Sequence, residues 1–456
     1  MREVGAGLFE ALIVPLLLAV VGVVWLSRKP RTRGHLASGC SDRVACSSIV
    51  AALSLSAAAF LLVRFNDAES RLGELDFYWT RALNLATNGV FGYGSRPTAF
   101  FPPGYSFLLT PAALVLGDTP WGWFLTNACV LVASAALLRW QLTQLAIPGP
   151  LANVAAVVLV ASPNRLAALQ LPLSDVPFSL AFVLVLGFLL LSAKHPERAG
   201  YLVAAALLAG TSVLIRVSGA IILVPVGLWL VARPSGSLWR RLRRAALFAA
   251  LSLLVVAPWT MRNWLLLGAF VPVSTNGGYN LLIGNNPEAR GGWNTGADLA
   301  AASVRGLNEA QQDAVLAAQA RRQIGDQPWL FLRMGLWKVT RSFATDAYAF
   351  IALWRNTNAG DLPGWATASV FAISNFVYYV TAIAAVVVFL RRLHLEPDAG
   401  ALLVATLVGV SVALFVFVGM TRYKEPTTTV LLLFLAVHAG SLGPVRETQA
   451  QATAHD

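Results

Sequence analysis

Residues 180–191 read LAFVLVLGFLLL, a run without a charged or strongly polar side chain. The whole chain has this character, since 57% of its 456 residues are hydrophobic, 12% are charged and the mean hydropathy is +0.65. A soluble domain has about 25% charged residues and does not need such runs. The composition therefore indicates that a lipid bilayer surrounds most of the chain.

Apolar runs recur along the sequence at the length that a membrane span needs, about 20 residues. They predict an all-α polytopic membrane protein with about eleven transmembrane helices and a small external mixed α domain. The predicted spans are residues 5–26, 44–63, 119–142, 151–168, 176–192, 200–215, 217–232, 244–263, 366–390, 399–420 and 426–441. The first run lacks the basic start and the cleavage pattern of a signal peptide, so we expect a retained helix.

Clusters of arginine and lysine set the orientation, because such residues collect in cytoplasmic loops. Residues 28–33, 240–244 and 391–392 should therefore be cytoplasmic. Five spans are predicted between residues 63 and 233, and an odd number takes the chain from outside back to inside, as these charges require. The net charge of +12 thus reflects topology, and no basic stretch carries a nucleic-acid-binding motif.

Two segments, residues 64–104 and 264–365, are too polar to span and lie outside in this layout. Within the second, a helix is expected at 309–326 and an amphipathic one from Pro328 onward. The predicted parts are an extra N-terminal helix with a basic cytoplasmic loop (1–43), a core transmembrane domain that contains the first external loop (44–263), an external domain with an interfacial helix (264–365), and C-terminal transmembrane helices with a cytoplasmic tail (366–456).

Ionisable residues from distant parts of the sequence gather on the predicted external face. They are Asp67, Asp76, Asp175, Arg165, Arg216, Arg422 and Lys424. Charged groups at membrane depth are costly and usually functional. Each also has a structural interpretation: Asp175 follows Ser174 and precedes Pro177 at a helix start, where an acid is a good cap. Their coincidence on one face favours a functional site.

Five motifs then follow one another along nearly the whole chain. They are Asp76-Phe77-Tyr78, the PPGY of residues 102–105, Asp175 before a helix, the GNNP of residues 284–287, and Arg422-Tyr423. In this order the chain resembles the GT-C glycosyltransferases, in the branch with protein O-mannosyltransferases and lipid A aminoarabinose transferases. It departs from that pattern in three respects. The first acid is often followed by another acid, whereas Phe77 follows Asp76, so Asp67 or Glu69 could fill its role. The N-terminal helix 5–26 is additional to the pattern, and the external domain is small.

The resemblance implies a GT-C fold and an enzyme that transfers a sugar from a polyprenyl-phosphate donor by inverting displacement, with a carboxylate as the base. Asp76 is the first choice for the base and Asp67 the second, while Asp175 would orient the acceptor or raise the basicity of the site. Arg422 and Arg216, with Lys424 and Arg165 behind them, would bind the leaving phosphate, because guanidinium groups suit phosphate. The remaining substrate-binding candidates are Tyr78, Tyr105, Asn285, Asn286 and Tyr423.

The same resemblance implies transfer to a lipid, glycan or protein acceptor at the periplasmic side of a bacterial inner membrane. No cofactor is expected. No cluster has metal-ligand spacing, and all five histidines fall on the internal side of this layout, so no required metal is expected either, although carboxylates alone could hold one. An alternative is a transporter or flippase of a lipid-linked substrate, which would need charges near the middle of its spans. The sequence names neither the sugar nor the acceptor.

Overall fold

The computed structural model describes residues 35–62, 77–233, 236–286, 288–289, 292, 304–357, 363–392 and 397–440. Over these ranges the protein is all α, and its strands are limited to an antiparallel pair, Gly92–Tyr93 (β1) and Arg96–Pro97 (β2). The predicted span 5–26 and the cytoplasmic loop after it lie mostly outside the described residues.

Seventeen helices and one short 3₁₀ helix, Thr421–Lys424, make up the described part of the fold. The helices are α1 (His35–Leu62), α2 (Phe77–Asn88), α3 (Gly104–Leu116), α4 (Trp121–Gln144), α5 (Gly149–Ala161), α6 (Pro163–Ala168), α7 (Asp175–Lys194), α8 (Ala199–Ile215), α9 (Ser218–Ala232), α10 (Leu238–Leu267), α11 (Gly277–Asn285), α12 (Glu309–Asp326), α13 (Pro328–Phe343), α14 (Tyr348–Asn356), α15 (Gly364–Arg392), α16 (Pro397–Val416) and α17 (Glu425–Gly440).

The predicted polytopic membrane fold is confirmed. Six helices (α1, α4, α7, α10, α15 and α16) are long and apolar enough to cross a bilayer, and α3, α5, α8 and α9 are apolar but shorter. From residue 44 onward each predicted span except 151–168 coincides with one helix, although α1 and α10 begin several residues before the predicted starts. The helices predicted at 309–326 and from Pro328 onward are also present, as α12 and α13.

One predicted span is wrong in form, because residues 151–168 are two helices, α5 and α6, with a break at Ser162. Ser162 precedes Pro163 and has φ −59° and ψ 122°, the extended conformation to which a following proline ring directs its neighbour. Proline also lacks the N–H that would continue the α5 ladder. Arg165 lies in α6, just after the break, and is buried.

The centre of the bundle is α7, whose residues from Asp175 to Ser192 are all buried. It packs against α4, α8 and α17. A helix that is apolar all round must be enclosed on every side, either by protein or by lipid. For α7 the neighbours are protein, so the site at its first residue has a rigid support.

The outer helices α10 and α15 face away from the protein, since only 17% and 28% of their most apolar windows are buried. Leu253, Leu254 and Leu265 of α10 and Ile383 and Leu390 of α15 are exposed. Exposed apolar surface of this extent is expected where lipid is the solvent.

The segment between α10 and α15 folds against the first loop. Asn308 caps α12 through a reciprocal pair of hydrogen bonds with Gln311. The next residue, Glu309, accepts hydrogen bonds from the Thr98 hydroxyl and from the Ala99 N–H. These contacts fix α12 to the chain just before the PPGY turn, so the loop and the later segment form one structural unit.

Candidate functional site

The site begins with an ion pair between Asp175 and Arg216. Asp175 is the first residue of α7, and Arg216 directly follows the last residue of α8. The turn between α7 and α8 is short, so the start of α7 lies beside the end of α8. The Arg216 Nη1 group donates to Asp175 Oδ1, and both side chains are largely buried.

The local geometry bears on the cap interpretation of Asp175. Ser174 occupies the N-cap position of α7, and no side-chain cap hydrogen bond is made there. The carboxylate of Asp175 is directed to Arg216 instead, and its second oxygen, Oδ2, is buried without a hydrogen-bond partner among the described residues. The carboxylate therefore neutralises an arginine at this place in the fold.

Arg422 approaches the same place from the 3₁₀ helix. Its guanidinium carbon lies 5.0 Å from the ring centroids of both Tyr348 and Tyr423, and its Nη2 donates to the Tyr423 hydroxyl over 3.2 Å. The guanidinium carbon of Arg216 lies 4.4 Å from the same Tyr423 ring. The two arginines therefore meet at one tyrosine. We call Asp175, Arg216, Arg422, Tyr348 and Tyr423 the site cluster.

Among the residues that the structure describes, the site cluster has an excess of positive charge, since two guanidinium groups face one carboxylate. Burial alone lowers the pKa of Arg216, but Asp175 and Tyr423 more than offset this and raise it. Burial raises the pKa of Tyr423, yet the nearby Arg422 and Arg216 reverse the effect and lower it. Both arginines thus stay charged, and the cluster favours an additional anion.

Tyrosine hydroxyls extend the site toward the first loop. The Ser174 hydroxyl donates to the Tyr78 hydroxyl over 3.3 Å, and the Tyr78 ring meets the Tyr105 ring edge-on at 5.3 Å. The Tyr105 hydroxyl donates to Asn127 Oδ1 over 2.9 Å. Burial raises the pKa of Tyr78, so its hydroxyl stays protonated and can donate a hydrogen bond.

The other two predicted phosphate ligands lie in a separate buried network. Arg165 Nη2 contacts Glu425 Oε1 at 2.5 Å, and Lys424 Nζ contacts Asp346 Oδ1 at 3.1 Å. Arg165 also donates to the Leu159 carbonyl at the end of α5. We call Arg165, Lys424, Asp346 and Glu425 the paired network, because each cation already has a carboxylate.

The remaining predicted residues are placed as follows. Asn285 Nδ2 donates to the Leu281 and Val416 carbonyls, and Asn286 Nδ2 donates to the Leu282 and Ile283 carbonyls. Asn286 therefore binds the backbone of its own helix α11, whereas Asn285 also joins α11 to the end of α16. Asp67 and Asp76 lie outside the described residues, so the position of the expected base stays a prediction.

Two residues near these sites had no signal in the sequence. Tyr348 begins a short helix in a polar region, and no motif distinguishes it from other aromatic residues. Lys338 lies in the predicted amphipathic helix, whose pattern does not distinguish it from Arg333 and Arg341, and it is fully buried. Within the described ranges no group of three or more His, Cys, Asp or Glu residues lies close enough to hold a metal ion.

The comparisons with known proteins agree with this architecture. Residues 101–262 match the family model described as dolichyl-phosphate-mannose-protein mannosyltransferase. The apo oligosaccharyltransferase of Archaeoglobus fulgidus is 15% identical with a TM-score of 0.50, over 90% of this chain and 52% of that chain. The same organism's oligosaccharyltransferase AglB, in complex with an inhibitory peptide and a dolichol-phosphate, is 13% identical with a TM-score of 0.48 and the same coverage.

ArnT from Cupriavidus metallidurans, bound to undecaprenyl phosphate, is 16% identical with a TM-score of 0.41, over 88% of this chain and 77% of that chain. No curated protein sequence gives a significant match. The chain spans about half the length of the archaeal oligosaccharyltransferases. The match of residues 101–262 and the fold similarity to the apo oligosaccharyltransferase agree with the resemblance to the GT-C glycosyltransferases that the sequence motifs indicate.

Proposed function

We propose that the protein transfers a sugar from a polyprenyl phosphate to an acceptor, with the phosphate of the donor bound at Arg216 and Arg422. The observation that carries the proposal is the charge of the site cluster: within the described part of the chain, two buried arginines share a single carboxylate. A buried excess cation is costly unless an anion accompanies it. A lipid-linked phosphate is an anion of the kind that arginine binds well.

The proposed reaction makes use of this excess charge. The acceptor oxygen attacks the anomeric carbon, its proton passes to a carboxylate of the first loop, and the bond from the anomeric carbon to the phosphate oxygen breaks. The phosphate carries one negative charge in the donor and gains a second as it leaves. Guanidinium groups placed where that charge grows stabilise the transition state more than the bound donor.

The neighbours support the donor class. One solved ArnT is bound to undecaprenyl phosphate, and one archaeal AglB is in complex with a dolichol-phosphate. The tyrosine hydroxyls of Tyr78 and Tyr423 are suited to hydrogen bonds with sugar or phosphate oxygens. We place the reaction at the end of the bundle where the charge layout predicts the periplasm of a bacterial inner membrane, and Asp76 is our first choice for the base.

The test is turnover of a polyprenyl-phosphate sugar by the purified protein in detergent or liposomes, with Asp76→Ala, Asp76→Asn, Asp67→Ala and Asp67→Asn variants. Loss of the base is expected to lower turnover about 10²–10⁴-fold. Full turnover in both Asp76 variants would move the role of base to Asp67. Movement of the intact lipid-linked sugar across the bilayer, without release of polyprenyl phosphate, would instead indicate a flippase.

A further inference from the structure

Lys338 lies on the face of α13 that packs against the protein. Gly335, Lys338 and Ser342 are buried at helical spacing, whereas Trp329 and Leu336 are exposed on another face. Such an exposed apolar face is what an interfacial helix presents to lipid. Lys338 therefore points inward from a helix whose outer side is suited to the membrane surface.

The Lys338 amine is surrounded by oxygen atoms of neutral groups. Its Nζ lies 2.8 Å from the Phe417 carbonyl, 3.1 Å from Asn285 Oδ1, 3.3 Å from the Gly284 carbonyl and 3.5 Å from the Val416 carbonyl. Among the described residues no carboxylate lies within 4.0 Å of it. A charged lysine amine has three N–H donors, so it can satisfy three of these four oxygens at one time.

These oxygens belong to two helix ends. Gly284 and Asn285 end α11, while Val416 ends α16 and Phe417 directly follows it. The last carbonyls of a helix lack partners within the helix and carry a partial negative charge. One lysine thus satisfies the carboxyl ends of two helices that are remote in sequence.

The backbones around Lys338 approach each other closely. A Cβ at Gly284 would lie 2.2 Å from the Phe417 carbonyl oxygen, and a Cβ at Gly335 would lie 2.4 Å from the Phe415 ring. The ends of α11 and α16 are therefore closely packed against each other and against α13, which leaves little room for them to move while Lys338 binds both ends. From Phe417 the chain continues through residues 418–420 into the 3₁₀ helix that carries Arg422 and Tyr423.

We propose that Lys338 is a positioning residue, which joins the carboxyl ends of α11 and α16 and thereby fixes the segment 417–424 that presents Arg422 and Tyr423. The effect of Lys338 on turnover rests on the proposed function, in which Arg422 binds the donor phosphate. The effect of Lys338 on the structure of the segment 417–424 does not depend on the proposed function. In this way Lys338 connects the interfacial helix α13, through its contacts with Asn285 and the end of α16, to the segment that carries two residues of the site cluster.

The test of the segment is hydrogen exchange in Lys338→Met, with Lys194→Met as the matched control. Lys194 also donates to a carbonyl at a helix end, that of Leu145, but it lies at the other end of α7 from Asp175. We expect at least tenfold faster exchange in residues 417–424 of Lys338→Met and no change there in the control. Unchanged exchange in that segment would overturn the proposal.

Methionine is close to lysine in shape and removes the buried amine, so Lys338→Met is expected to fold. Should it fail to fold, Asn285→Ala is used instead, because it removes one of the four oxygens around the Lys338 amine. Faster exchange in residues 417–424 of this variant would support the proposal, and unchanged exchange would overturn it. In the folded variant, we expect kcat per folded molecule to fall and the KM for the donor to rise. A lysine with only a structural role would lower the melting temperature and leave both constants unchanged.

Hydrogen exchange in residues 417–424 and turnover of the donor together distinguish failure of this proposal from failure of the proposed function. Faster exchange in 417–424 with no turnover in the wild-type protein would support the positioning role and count against glycosyl transfer. Normal exchange with wild-type turnover present would overturn the positioning role alone.

Discussion

The site cluster and the paired network are both buried groups of charged residues, and they differ in charge balance. Counted over the described residues, two cations meet two carboxylates in the paired network, whereas two arginines meet one carboxylate in the site cluster. Arg422 and Lys424 are only two residues apart, yet they belong to different groups. A balanced group holds helices together, while a group with an excess charge is suited to a charged ligand.

The largest expected effect is in the paired network. Arg165→Met leaves Glu425 buried without its cation, so we expect a loss of about 3–5 kcal/mol in the free energy of unfolding. Thermal unfolding in detergent measures it. The double variant Arg165→Met/Glu425→Met removes both charges and should recover part of the loss. A melting temperature equal to that of the wild type in the single variant would contradict the role assigned to the network.

The next largest effect, that of Arg422→Met on turnover, distinguishes the site cluster from the paired network most directly. Arg422→Met should reduce turnover about 10²–10³-fold, as does the loss of one group that stabilises a developing anion. Because this change also removes the repulsion between Arg422 and Arg216, the melting temperature should not fall. Arg233→Met is the control, since Arg233 pairs with Asp398 at the opposite end of the bundle. Equal turnover in both variants would remove Arg422 from the mechanism.

A smaller effect is expected for Asp175→Asn, which keeps the shape of the side chain and removes its charge. Polyprenyl phosphate should bind at least as tightly as to the wild type, since the excess charge grows. Turnover should fall about tenfold, or about 1.4 kcal/mol. Asparagine is as good a helix cap as aspartate, so a purely capping role would leave binding and turnover both unchanged. Binding assays with the polyprenyl phosphate alone decide between these outcomes.

The smallest effect concerns Tyr423→Phe. The pKa of Tyr423 is lowered in the folded protein, so in alkaline solution below the ordinary tyrosine pKa of about 10 the unfolded chain binds more protons. The contribution of Tyr423 to stability is therefore fully present above about pH 10 and is lost as the pH falls through the folded pKa.

Melting temperatures of wild type and Tyr423→Phe across this range test the sign of that contribution. The difference should widen in favour of the wild type as the pH rises, while turnover at pH 7 changes less than tenfold. A difference that is constant with pH would show that the arginines do not favour the tyrosinate.

The outcome for the individual elements shows where sequence patterns are reliable. The bounds of α12 agree with the prediction at both ends, because Asn308 and Gln311 form a capping box that depends only on neighbours in sequence. The span 151–168 was wrong because Pro163 acts on the conformation of Ser162, and an apolar run does not reveal such a break. The amphipathic pattern predicted α13, but such spacing does not reveal that the Lys338 side chain faces the protein.

For this protein, then, sequence alone was enough for the membrane fold, the positions of most helices, and the candidate set that included Asp175, Arg216 and Arg422. Hydrophobic length and caps are local properties, so they can be read along the chain. Only the tertiary structure separated Arg422 and Arg216 from Lys424 and Arg165, and it revealed the inward direction of Lys338. The physical reason is that the effect of a buried charge depends on its partners, and those partners lie up to 260 residues away in sequence.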